Sequence, residues 1–404
     1  MNEKYKFISA FLIFLVIILA FSCSKQKAEW RGTIEEVDGV TVVNNPESPK
    51  YSGKDAPQLV FDKDLTIPLS GKMYSIGVNQ DGIMYALDII AGEVEVYDIN
   101  GRFLKKFGKK GQGPGEFTHP WYLSISAENE IFILDKSTRS IHVFDSEGIV
   151  LKHIDCPSSL GLMDSFVFDS EKNLYIYYTL STFRLNDKEK LNQGIIGVNY
   201  LSKFNKSLEK LLDIFTCNYE FLRRSTSGES EGVVYNNIFY YQIDQAGNLY
   251  YGYSDKYEIF MLSPDGQHKK TIMKEAPIIK PSEKDIEYVL KEYPGLREFK
   301  DTLIISDSKP CFSAFYLLEG IGMLVSTYED EWNEEGVISC DLFNQEGVYI
   351  AKVVSPKYYY WNHHELISEQ RNRIFKNGYC YSIIYNRETN FLELVRHRVK
   401  LIFP

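Results

Sequence analysis

The chain has 404 residues, 44% of them apolar and 14% aromatic, with a formal net charge of -10 at pH 7. That composition supports a packed core built from strands rather than helices. The acidic balance, with basic residues interspersed rather than clustered, argues against nucleic acid as a partner, because neutralising phosphates needs grouped Lys and Arg.

The N-terminus reads as a targeting segment, since Lys4 and Lys6 precede an apolar run from Phe7 to Phe21. That run is about 15 residues, short of the ~20 that span a bilayer comfortably. Its end, Leu19-Ala20-Phe21-Ser22-Cys23, resembles a bacterial lipobox, although Ala20 stands where leucine is usual. The resemblance implies cleavage before Cys23 and lipid attachment there. An uncleaved signal anchor is the alternative, and either one exports the rest of the chain. Ser24 after the cysteine implies, in a bacterium with two membranes, passage to the outer one. The expected location is the cell envelope, lipid-anchored to the outer or inner membrane and facing away from the cytoplasm.

Two punctuation marks then recur along the chain. The first is a polar turn before an apolar strand: Gln80-Asp81-Gly82, Glu128-Asn129-Glu130, Glu171-Lys172-Asn173, Gln245-Ala246-Gly247-Asn248, Glu319-Gly320-Ile321-Gly322 and Lys376-Asn377-Gly378. Asp-Gly and Asn-Gly turns supply the positive φ that tight hairpins need. The second is an apolar strand, a polar turn and a more polar strand, clearest at Val96 to Lys105 and Val143 to Lys152. Copies follow at Phe204 to Leu208, Leu262 to Gly266 and Phe343 to Gly347. Lysine on the last strand suits an edge.

The glycine-rich stretch Gly108 to Phe117 leads through His119-Pro120-Trp121 into period-two alternation, so it joins antiparallel strands. Gly111, Gly113 and Gly115 within it superficially suggest a phosphate loop, but Pro114 and the following strands exclude the required strand-to-helix context.

This unit resembles an NHL repeat, the blade of a β-propeller. With the targeting segment and the lead-in Trp30 to Pro46, the chain resembles bacterial six-bladed β-propeller lipoproteins. The resemblance implies an all-β, six-bladed β-propeller of four-stranded antiparallel blades. The expected organisation is a signal peptide over 1–22, a lipidated tether and lead-in over 23–56, and the propeller over 57–404. The sixth unit lacks a fourth strand, which Leu65 to Leu69 can supply to close the ring. Insertions are expected at Leu185 to Gly194, at Asn218 to Val234, and as a helix over about 281–300. There Pro281-Ser282 caps, Asp285 follows three residues on, and Ile286, Val289, Leu290 and Tyr293 form a stripe.

Beyond Cys23, the cysteines Cys156, Cys217, Cys311, Cys340 and Cys380 are irregularly spaced, with no Cys-x-x-Cys pair. Free buried thiols are expected, with one or two disulfides open as an alternative. His363-His364, adjacent in a strand-like stretch, would point to opposite faces rather than to one ion. The acidic run Glu329 to Glu335 lacks the spacing of a calcium loop, and Tyr358 to Trp361 reads as packing between blades. His119 and Trp121, at the entry to an inner strand, are the expected ligand contacts; no catalytic residue, metal ligand or cofactor is expected.

The functional expectation is a membrane-tethered, monomeric binding module for a protein, peptide or glycan. The alternative is a lactonase-like hydrolase or a lyase with a divalent metal in the central channel. That would need Glu, Asp, Asn or His from several inner strands, and the first two, Tyr74 to Val78 and Tyr122 to Ser126, carry none. A scaffold within an envelope complex is not distinguishable from the binding module by sequence.

Overall fold

A computed structural model describes residues 30–181, 197–219, 222–224, 230–292, 304–329, 337–356, 372–386 and 388–404. Residues 32–404 form one compact unit; Cys23 lies outside the described residues.

Six antiparallel sheets make up the ring. Blade 1 holds Met73–Val78, Met84–Asp88, Glu93–Tyr97 and Phe103–Phe107; blade 2 holds Pro120–Ile125, Ile131–Asp135, Ser140–Phe144 and Val150–Asp155. Blade 3 holds Leu162–Phe168, Leu174–Ser181, Gly197–Phe204 and Lys210–Tyr219; blade 4 is built on Phe239–Ile243, Leu249–Tyr253, Glu258–Leu262 and His268–Lys274. Blade 5 holds Ala314–Leu318, Gly322–Ser326, Val337–Asn344 and Tyr349–Pro356; blade 6 holds Arg373–Lys376, Tyr379–Asn386, Phe391–Ile402 and Gln58–Pro68. Each innermost strand touches that of the next blade, and the sixth touches the first. The fold is the expected six-bladed β-propeller. Among the described residues no helix is long and apolar enough to cross a membrane.

Burial falls from the inner strands to the outer ones. Met73–Val78, Met84–Asp88, Ile131–Asp135 and Ser140–Phe144 are buried throughout, whereas Phe103–Phe107 and Val150–Asp155 are mostly exposed. Period-two alternation therefore disappears in the inner strands, because stacked blades cover both faces of each sheet. Aromatic rings fill the seams: Phe107 and Phe117 lie 5.0 and 5.7 Å from Phe144 between blades 1 and 2. Polar side chains also stitch neighbouring inner strands. Leu123 N donates to Ser75 Oγ, Ser165 Oγ pairs with Tyr241 Oη, Leu317 N donates to Gln242 Oε1, and Lys376 Nζ donates to Val78 O.

The turns repeat one device. Asn79, Ser126, Asp169 and Asp244 end inner strands and accept backbone N–H bonds from the turn that follows. Asp98, Asp145, Asn205 and Asn344 do the same between third and fourth strands. These side chains mimic a backbone turn. The position before the next strand needs φ > 0; Gly82, Asn129 and Gly247 meet that need readily, but Lys172 adopts φ 65° there.

Closure comes from the N-terminal side. Gln58–Pro68 spans eleven residues, longer than the clasp read from sequence, and pairs antiparallel with Phe391–Ile402. The register slips between Lys63 and Leu65. There Arg396 reaches Asp64 with both ends of its fork, Nε to Oδ1 at 3.0 Å and Nη2 to Oδ2 at 3.1 Å. Its Nη1 also donates to Ile99 O in blade 1. One guanidinium thus ties the first blade to the last.

Residues 33–45, within the stretch read as tether and lead-in, are paired into the ring. Thr33–Val37 and Val40–Asn45 form a hairpin about Asp38-Gly39, both at positive φ as a tight two-residue turn requires. The β-branched Val40-Thr41-Val42-Val43 suits a strand, and it adds in parallel to His268–Lys274, making blade 4 six-stranded. Asn45 then crosses to blade 5, accepting from Tyr349 N and donating to Gly347 O and Met273 O. Lys50 N and Tyr51 N bond to Tyr349 O and Ile350 O before the chain enters blade 6.

Helix α1, Glu283–Glu292, confirms the helical insertion over its described residues. Ser282 Oγ accepts from Asp285 N while Asp285 Oδ2 accepts from Ser282 N, a reciprocal cap. Val289 is buried beside Tyr235, Tyr288 and Tyr328. The second insertion begins later than Asn218, which still belongs to blade 3. Its strands Leu222–Arg224 and Ser230–Val234 join Ile304–Ile305 in a small sheet; Leu185 to Gly194 lie outside the described residues.

Three outcomes are expected. Arg396→Lys keeps the charge but loses the fork, so equilibrium denaturation should show a loss of about 1–3 kcal/mol. Lys172→Gly, which removes a strained left-handed residue, should raise stability by up to about 1 kcal/mol in the same assay. Burial pushes the Asp285 carboxyl up, but hydrogen bonds from Lys309 and Ser282 outweigh it and hold it below its ordinary value. A depressed carboxylate stabilises above its unfolded pKa, about 3.9, and that contribution is lost as pH falls through the folded value. Tyrosine fluorescence from the α1 cluster should therefore change below about pH 4, and Asp285→Asn should remove that dependence.

Candidate functional site

Strand direction alternates within a blade, so connections between first and second strands, and between third and fourth, share one face. Every one of those is short, from Asn79-to-Ile83 to Asn344-to-Val348. The opposite face carries the links between second and third strands and those between blades. The long links within a blade and between successive blades fall there: 108–119, 182–196, 220–238, 275–313, 327–336 and 357–372, while the lead-in 46–57 passes instead to the other end of blade 6, where Gln58 faces Ile402.

The glycine-rich stretch lies on this second face as the expected connector between blades 1 and 2. Lys109–Lys110 pairs in parallel with Glu116–Phe117. Glu116 accepts from Gly113 N and pairs with Lys109 Nζ at 2.8 Å. A Cβ on Gly111 would stand 2.0 Å from the Glu116 carboxylate, so a larger residue there would displace that side chain from Gly113 N. Gly108, at φ 80°, is pressed against the fully buried Phe117. The glycines serve geometry.

His119 and Trp121 follow immediately. Asp135, fully buried at the end of the second strand, accepts from Thr118 N and His119 N on one side and from Ser137 N and Thr138 N on the other. That single carboxylate fixes the approach of His119. The imidazole is exposed and stacks on Trp121, with centroids 5.8 Å apart at 22°. Trp121 itself is only 9% exposed, with Tyr74 against one side at 4.6 Å. Lys136 Nζ sits 3.5 Å from its ring centroid, a cation–π contact, and 3.2 Å from Asp164 Oδ1. Trp121 Nε1 donates to the same Asp164 oxygen at 3.3 Å.

The two expected contacts therefore have different places: His119 stands at the surface, and Trp121 is the floor beneath it. Lys136 and Asp164, each roughly a quarter exposed, complete the group as 26% and 29% accessible side chains. Sequence reading missed Asp135, Lys136 and Asp164. A signal for the first was present, because Leu87-Asp88 and Leu134-Asp135 end the same strand in successive blades, and Asp88 likewise caps its turn through Ile90 N and Ala91 N. Lys136 and Asp164 carry no such repeat, and only the ring brings them together.

An ammonium, a carboxylate and an imidazole over an aromatic floor can bind a polar ligand by hydrogen bonding. Beside them a recess of about 20 Å³ is lined by Lys136, Arg139, Cys156 and Met163. A second, about 10 Å³, lies between blades 4 and 5 among Tyr257, Lys274, Cys311 and Tyr328. Each has room for about one water, far below the ~300 Å³ of a small-molecule pocket. Lys274 there is buried against Asp341 at 3.2 Å, and Tyr257 Oη donates to the same carboxylate.

Among the described residues no three His, Cys, Asp or Glu are placed to hold a metal ion. The five described cysteines are free. Burial pushes the Cys156 and Cys217 thiols up to about 12 and raises Cys311 too, which keeps them unreactive. Tyr358 to Trp361, His363-His364 and Asp330 to Glu335 lie outside the described residues.

Residues 69–243 match a family model described as DUF5128: 6-bladed beta-propeller. Mouse E3 ubiquitin-protein ligase TRIM32 is 37% identical over 65 residues, 16% of this chain; the match spans only 10% of that protein. A crystal structure of a duf4221 family member from Bacteroides vulgatus aligns over 87% of this chain and 100% of that one, with TM-score 0.53 and 12% identity. Virginiamycin B lyase from Staphylococcus aureus aligns over 84% of this chain and 99% of that one, at TM-score 0.42 and 9% identity. The likeness to the Bacteroides vulgatus structure, at 12% identity, is one of fold. Ring, family match and structural likeness agree on a six-bladed β-propeller.

Proposed function

We propose that the chain is a lipid-anchored, extracytoplasmic propeller that binds a protein, peptide or glycan on its insertion-bearing face. The carrying observation is the asymmetry of the two faces. One is closed by short, self-capped turns, and the other receives every long link within a blade or between successive blades. Insertions in repeat folds gather on the binding face, because loops there change without disturbing the ring. His119, Lys136 and Asp164 supply polar contacts at blades 2 and 3, over the buried Trp121. The small recesses favour an extended or polymeric ligand read at the surface. Membrane attachment rests on Cys23 and the apolar run before it.

Peptide libraries and glycan arrays probed with the purified protein should yield a ligand. Binding should weaken about tenfold with His119→Ala or Lys136→Ala, in line with the loss of one hydrogen bond. The opposite-face variant Lys172→Gly should bind normally, with circular dichroism confirming that all three fold. A ligand mapping to the short-turn face, or no binder alongside turnover of a small substrate, would overturn the reading. Cys23→Ala should move the protein from the membrane to the soluble fraction.

A further inference from the structure

The hairpin Thr33–Val37 and Val40–Asn45 changes the length of chain available as a tether. Reading 23–56 as tether and lead-in leaves over thirty residues between Cys23 and the ring. Because Thr33 is already paired with Asn44, only residues 24–32 remain. At ~3.3–3.6 Å per residue this stretch reaches about 35 Å at most, whatever its conformation.

The exit point is also specific. Thr33–Val37 is the outermost strand of six-stranded blade 4, so the chain leaves the propeller at its radial extremity. Blade 1 lies opposite. Five strand spacings in blade 4 and three in blade 1, at ~4.8 Å each, put the two outer edges about 40 Å apart before the central gap is added. A ring standing on blade 1 would hold Thr33 beyond the reach of the tether. The hairpin strand is exposed along its length, with Ile34 at 50% and Val37 at 49%. Glu35, Glu36 and Asp38 on the same hairpin favour lying against headgroups over insertion among acyl chains.

Resting on the anchor reading of Cys23, we infer that the outer edge of blade 4 is the surface turned toward the membrane, with blade 1 farthest from it. Ligands then reach the insertion-bearing face from the side or from above.

The test uses the full, acylated protein in phospholipid vesicles carrying an acceptor dye in the headgroup region. A donor fluorophore is attached through an unnatural residue at position 35 in the hairpin, or at position 104 on the exposed edge of blade 1. Energy transfer from position 35 should be at least twofold more efficient. Inserting a twenty-residue Gly-Ser segment between Arg31 and Gly32 should shrink that difference. Equal transfer from both positions, or stronger transfer from 104, with the protein still on the vesicles, would overturn the orientation while leaving the anchor intact. Vesicle binding unchanged by Cys23→Ala would overturn the anchor and the orientation with it.

Discussion

Ring closure is the constraint on which the rest of the molecule depends. Six sheets stacked around an axis hide both faces of every inner strand only if the last sheet meets the first. The meeting is made by a strand from the far end of the chain, Gln58–Pro68 against Phe391–Ile402. Without it, blade 6 would present the long strand Phe391–Ile402 as an open edge, the kind of surface that recruits other chains. Arg396 concentrates this closure, since its fork holds Asp64 at the register slip and its third nitrogen reaches blade 1.

Once the ring is closed, the seams can afford buried polar groups. Lys203 pairs with Asp169 at 2.8 Å and Lys274 with Asp341 at 3.2 Å, all four side chains almost wholly buried. Such pairs return little net stability over apolar packing, yet are costly to break singly. Their value is positional. Tyr257 and Lys274 come from blade 4 and Asp341 from blade 5, so these contacts form only when adjacent blades sit at one angle. The inner-strand stitches through Ser75, Ser165, Gln242 and Lys376 act likewise.

Much of this was legible in the sequence, for local reasons. The turns announced themselves because Asx side chains and glycines are chemically required where a tight turn takes positive φ. The helix announced itself through Ser282 and Asp285, residues close in sequence that cap each other. What stayed hidden depends on partners distant in sequence. Nothing local in Val40 to Asn45 indicates that its partner is His268–Lys274, more than two hundred residues away. The candidate site divides along the same line. His119 and Trp121 were visible from their place before an inner strand, whereas Lys136 reaches them only through the pairing of the first two strands of blade 2, and Asp164 only after blade 3 stacks on blade 2. The burial of Trp121 was likewise invisible, because Tyr74 arrives from blade 1.

The belt formed by residues 33–68 has a kinetic consequence. Its partners are His268–Lys274, Tyr349, Ile350 and Phe391–Ile402, so the N-terminal end of the ring is the last to find its place. Contacts of such separation are slow to form, because a long loop must close before any of them is rewarded. Blades 1 to 3, with neighbours close in sequence, are free to assemble early. A chain delivered from its N-terminus can fold residues 33–45 into their hairpin at once, but Gln58–Pro68 must wait for Phe391–Ile402, so the ring stays open until its last blade has formed.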